Sequence, residues 1–160
     1  MPRIAFIGNS LPRRCGIATF TTDLAEALSR ETGAQVDDII AVAMTDIQEG
    51  YAYPERVKYS VSANVQAEYL RAAEFLNRTH HDAVILQHEY GIFGGEAGAH
   101  ILHLIKNLRS PLITTLHSVL LRPSDSQKLP TQKHRAKGRT HSNTNLSHAL
   151  RPCTPAVHRR

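Results

Sequence analysis

Two cysteines, Cys15 and Cys153, are all that the 160-residue chain carries. That is too few for a disulfide framework or a cysteine metal quartet. Long apolar runs are missing as well: the longest are strand-sized, none near the roughly 20 residues of a membrane-spanning helix. Ile4-Ala5-Phe6-Ile7 is too short for the core of a signal peptide, and Gly8-Asn9-Ser10 ends it. A cytoplasmic location is the expectation by default. Acidic residues are absent from one region: residues 129–160 contain seven Lys and Arg but no Asp or Glu. The net charge of +5 therefore belongs to that tail, because residues 1–128 hold twelve basic and fourteen acidic side chains. The body reads as an ordinary, mildly acidic globular domain, and the tail as something else.

What is present in residues 1–128 is an alternation of apolar strands and amphipathic helices. Strands are expected at Arg3–Ile7, Asp38–Met44, Val57–Val61, Ala83–Gln87 and Leu112–Leu116, short and nearly continuous in apolar residues as buried parallel strands are. A helix beginning near Ile17 should carry the stripe Ile17, Phe20, Leu24 and Leu28, with Gly33 as its stop. Asn64 is the expected N-cap of a second helix with the stripe Val65, Tyr69, Ala72 and Leu76. A third helix should bury Ile101, Leu104, Ile105 and Leu108. Alternating strands and helices imply a doubly wound α/β fold on a parallel, Rossmann-like sheet. Beyond about Lys128 no period of two or 3.6 is sustained, and disorder is the expectation for residues 129–160.

In such sheets ligands bind beyond the carboxyl ends of the strands. Three polar or glycine-bearing segments stand there: Gly8–Gly16, His88–Gly95 and His117–Ser124. The first is neither a dinucleotide fingerprint nor a P-loop. Gly16 at a helix start, with Arg13 and Arg14 before it, suits an anion. An N-cap glycine beside solvated arginines is an equal alternative. In the second segment His88 and Glu89 could serve a hydroxyl as an acid–base or hydrogen-bonding pair, and its glycines, Gly91 among them, permit close backbone approach. A glycine-rich turn whose Tyr90, Ile92 and Phe93 pack on the core is the competing reading. His117 ends the last strand toward the same cleft. His100 and His103 share a helix face, but no third ligand can be placed, so no metal site is expected.

Three stretches together, Pro12–Phe20, Gln87–Gly95 and Thr114–Leu120, resemble the N-terminal domain of bacterial family 4 glycosyltransferases. The resemblance covers about residues 2–128. It implies a GT-B architecture, two Rossmann-like domains facing across a cleft. It also implies retaining transfer of a hexose from a nucleotide-diphosphate sugar to an acceptor hydroxyl, with no cofactor and no catalytic metal. By that resemblance Gly16, with Arg14 nearby, would approach the donor diphosphate. His117 would meet the donor sugar near the reacting centre, and His88, Glu89, Tyr90 and Gly91 would line the acceptor side.

The family's donor-side features, basic residues for the diphosphate and a spaced pair of glutamates, are not found in the sequence. The expectation is therefore a C-terminally truncated domain, inactive alone, whose residues 129–160 are out-of-frame or aberrant sequence. A separate donor-binding subunit is a weaker alternative. Another is a non-enzymatic α/β binding protein using its basic tail on nucleic acid. That tail lacks Tyr, Phe and Trp for base stacking, which argues against the idea.

Overall fold

The computed structural model describes residues 1–120 together with 122, 124 and 125. Expectations for the tail at 129–160 lie outside the described residues. Within them the chain runs β1 (Ile4–Gly8), α1 (Gly16–Thr32), β2 (Ile39–Thr45), β3 (Val57–Ser62), α2 (Gln66–Thr79), β4 (Ala83–His88), α3 (Ile101–Asn107) and β5 (Leu112–Leu116). Two short 3-10 turns, Tyr90–Ile92 and Glu96–Gly98, fill the loop between β4 and α3. The five strands form one sheet in the order β3-β2-β1-β4-β5, and every neighbouring pair is parallel. The expected α/β class and parallel sheet are therefore observed, with strand limits within one residue of those read from the sequence.

Alternation along each strand divides the core between two faces. On one face Ile7, Val42, Met44, Val84 and Leu86 meet Tyr69 and Leu76 of α2 and Ile101 and Leu104 of α3. On the other, Phe6, Ile39 and Ala41 meet Ala25 of α1, with Leu24 and Leu28 at the margin. Helices thus cover both faces, but unequally: α2 and α3 share one, and α1 alone lies on the other.

Two local expectations are corrected. The buried stripe of α1 is Ala18, Thr21 and Ala25, whereas Phe20 is 44% exposed. Small residues let the helix sit close to the sheet; Ile17, Leu24 and Leu28 of the expected stripe pack against the core half-buried, and Phe20 alone turns outward. Asn64 is not a cap: the N-cap position of α2 is Val65, with no side-chain bond. Glu68 reaches back instead, its carboxylate accepting from the Ser62 amide at 2.7 Å and closing the turn from the third helical position. Gly33 ends α1 as expected, in the left-handed conformation at φ 68°.

Candidate functional site at the carboxyl edge of the sheet

All five strands point the same way, so the segments following β1, β4 and β5 leave from one edge. After β1 the chain continues to β2 on one side, whereas β4 lies on the other. The crevice between the ends of β1 and β4 is the switch in strand order where open parallel sheets place ligands.

Gly8 ends β1 against Gln87. A methyl group on Gly8 would stand 2.9 Å from Gln87 Cβ, so a glycine here admits the glutamine side chain. Gln87 is fully buried, and its Oε1 lies 2.8 Å from His117 Nε2. The His117 ring meets the Phe20 ring edge to face, centroids 5.1 Å apart at 86°. Its backbone amide donates to the His88 carbonyl at 3.0 Å. Thus α1, β4 and the residue after β5 converge on one imidazole.

Glu89 joins the second and third segments. Its Oε1 accepts from the Tyr90 amide at 2.9 Å, and its Oε2 accepts from the Ser118 hydroxyl. With a donor on each oxygen, the carboxylate acts as a tie between loops. His88, the residue before it, is fully buried, its ring against those of Tyr90 and Phe93 at 5.1 and 5.9 Å. Burial holds the His88 pKa below the ordinary value of 6.5; Glu89 opposes the shift and His117 reinforces it. Gly91 is exposed, with open space where a side chain would be.

At the start of α1 the cap is Cys15, not Gly16. Its Sγ accepts from the Ala18 amide at 3.4 Å and from Asn9 Nδ2 at 3.3 Å. Gly16 is the first helical residue and is exposed, and a methyl group on its α-carbon would meet nothing within 4 Å. The two arginines part company. Arg13 bonds Asn9 Oδ1 at 3.0 Å and Asp46 Oδ2 at 2.9 Å. Asp46 Oδ1 in turn accepts from the Tyr51 hydroxyl at 2.9 Å, tying the first loop to the β2–β3 connection. Arg14 is exposed and makes no ion pair with a described residue.

A cavity of about 420 Å³ opens beside the first loop, bordered by Ser10, Pro12, Thr21, Glu26, Arg56 and Val57. None of His88, Glu89 and His117 lines it. Its threonines spend their hydroxyls on the helix: Thr21 on the Ile17 carbonyl at 2.7 Å, Thr22 on that of Ala18 at 2.9 Å. Arg56 is likewise engaged, by the Ile39 carbonyl and the Ser29 hydroxyl. Gln87 escaped sequence reasoning as a site residue, although its place directly before His88 at a strand end was a usable signal. No group of three or more His, Cys, Asp or Glu suited to a metal occurs among the described residues. No described helix is long and apolar enough to cross a membrane.

Fold and site define an α/β protein with a five-stranded parallel sheet and a histidine-centred cluster at its carboxyl edge. No protein-family model matches the chain, and neither curated proteins nor solved structures give a match.

Proposed function

We propose that the chain is the Rossmann-like, acceptor-side domain of a GT-B glycosyltransferase of family 4 type. In this reading its substrates are a nucleotide-diphosphate hexose and an acceptor hydroxyl. The observation that carries the reading is the position of His117. It is held between Phe20 of α1 and Gln87 of β4, at the edge where the first, second and third motifs meet. Arg14 and the exposed amide of Gly16 stand on the same edge, where a diphosphate would find a positive charge and the positive end of a 17-residue helix. A sugar hydroxyl at His117 would find an imidazole nitrogen with no hydrogen-bond partner among the described residues.

In this reading the family's second domain clamps the donor diphosphate, so residues 1–160 by themselves leave charge developing on a nucleoside-diphosphate leaving group unstabilised. The chain alone should bind without turning over. Titration of the 15N-labelled chain with UDP-glucose and with GDP-mannose tests this. Shifts confined to Gly16, Phe20, Glu89 and His117, lost in Arg14→Ala and His117→Ala, are the expected result. Unperturbed spectra at millimolar concentrations of both sugars would remove the proposed donor contacts of Gly16 and His117, and hexosyl transfer by the chain alone would refute its inactivity.

A further inference from the structure

We infer that Gln87 is a positioning residue: it locks His117 as the Nε2–H tautomer and so presents Nδ1 as an acceptor for a ligand hydroxyl. The inference rests on reading His117 as the group that meets the sugar. In the amide orientation of the structure Oε1 faces the ring at 2.8 Å, and because an amide oxygen only accepts, that orientation puts the proton on His117 Nε2. A neutral imidazole then has one lone pair left, on Nδ1. Among the described residues nothing hydrogen-bonds Nδ1, and it is not among the buried polar atoms that lack partners.

The surroundings of Gln87 support this role over a packing one. The side chain is fully buried, and among the described residues its Nε2 has no hydrogen-bond partner. A leucine of similar size would fill the same space without stranding a polar group. What the amide supplies and leucine does not is the oxygen on His117. The backbone at Gly8 makes room for it, since a side chain there would strike Gln87 Cβ at 2.9 Å. Phe20 holds the other side of the ring, so neither flipping nor tilting is free.

The test reads tautomers, not activity. Long-range 1H–15N spectra of the full chain, at a pH where His117 is neutral, should show a single form with Nε2 protonated and Nδ1 bare. Gln87→Leu and Gln87→Met remove the acceptor while keeping the volume, and should move both ring nitrogens toward the averaged shifts of a tautomer mixture. Gln87→Glu restores an acceptor and should return the wild-type pattern. UDP-glucose binding should weaken about two- to tenfold in the Leu and Met variants, the loss of one oriented hydrogen bond. A wild-type His117 with Nδ1 protonated overturns the inference, and so does an unchanged pattern in both apolar variants. If the tautomers respond as stated but no nucleotide sugar binds, Gln87 keeps its role and the reading of His117 as the group that meets the sugar fails.

Discussion

Gly94 lies so close to Ala63 that a methyl group on its α-carbon would stand 1.9 Å from the Ala63 carbonyl oxygen. The buried Tyr69 hydroxyl bridges the pair, donating to that oxygen at 2.7 Å and accepting from the Gly94 amide at 3.0 Å. The glycine-rich segment after β4 is thereby pinned to the turn before α2. Gly94→Ala must displace backbone, not a flexible side-chain end, and should cost about 1–3 kcal/mol or more. Tyr69→Phe strands a buried amide and a buried carbonyl at once, for about 1–3 kcal/mol. Urea unfolding of both variants checks the pair. A Gly94→Ala chain as stable as wild type would mean that this segment is not fixed as described.

That contact also marks where sequence reading stopped. Strand–helix alternation revealed the sheet because Ile39–Thr45 and Ala83–His88 are apolar enough to be buried on both sides, which only a covered parallel sheet allows. The common edge of the three motif segments followed from that parallelism. Of the stripe expected on α1, Ile17, Leu24 and Leu28 do pack against the core, but the closest approach to the sheet falls to small residues that apolar spacing does not single out. Phe20 looked like core and is a wall of the His117 site. The separate fates of Arg13 and Arg14 depend on Asp46, thirty-odd residues away in a loop, and no local pattern reports such a pairing. Gln87 lay hidden for a like reason: its partner, His117, is one strand further along the sheet.

Stability should fall as the solution is acidified through the histidine range. Burial is the leading cause that holds His81 and His88 below the ordinary value of 6.5. With the folded pKa depressed, the unfolded chain binds more protons, so their contribution is complete above about pH 6.5 and is lost below it. The melting temperature should drop between about pH 6.5 and pH 5. The decline should be shallower in His81→Gln and in His88→Gln, even though each variant starts from a lower melting temperature. A wild-type melting temperature that is flat across that interval would remove the effect.

The neighbouring arginines of the first loop should separate stability from binding. Arg13 bridges Asn9 and Asp46 with its guanidinium, whereas Arg14 faces solvent. Arg13→Ala should cost about 1 kcal/mol, modest because Asp46 is well exposed, and less at high salt. Arg14→Ala should leave stability within about 0.5 kcal/mol of wild type. It should weaken binding of UDP-glucose, in which the diphosphate is the anionic part. Thermal unfolding with and without the nucleotide sugar distinguishes the two. Equal losses of stability in both variants would contradict the pairing.

The thinly covered face of the sheet leads to a prediction about association. Phe6, Ile85 and Ile113 stand side by side across β1, β4 and β5. Along that row burial decreases, from a fully buried Phe6 beneath α1 to an Ile113 that is 54% exposed. Phe20 of α1, which lies on that face, is exposed as well. Among the described residues β5 pairs only with β4, so an apolar surface adjoins a strand with one unpaired side. Such a combination promotes chain-to-chain contact, and charged residues, lysine above all, are the usual remedy on natural edges. Ile113→Lys places a charge in the middle of the strip at a position that contributes little to the core. The wild-type chain should self-associate with rising concentration in sedimentation velocity. Ile113→Lys should stay monomeric while melting close to wild type. A wild-type chain that remains monomeric at the highest soluble concentration would show that the strip is too narrow to hold a second surface.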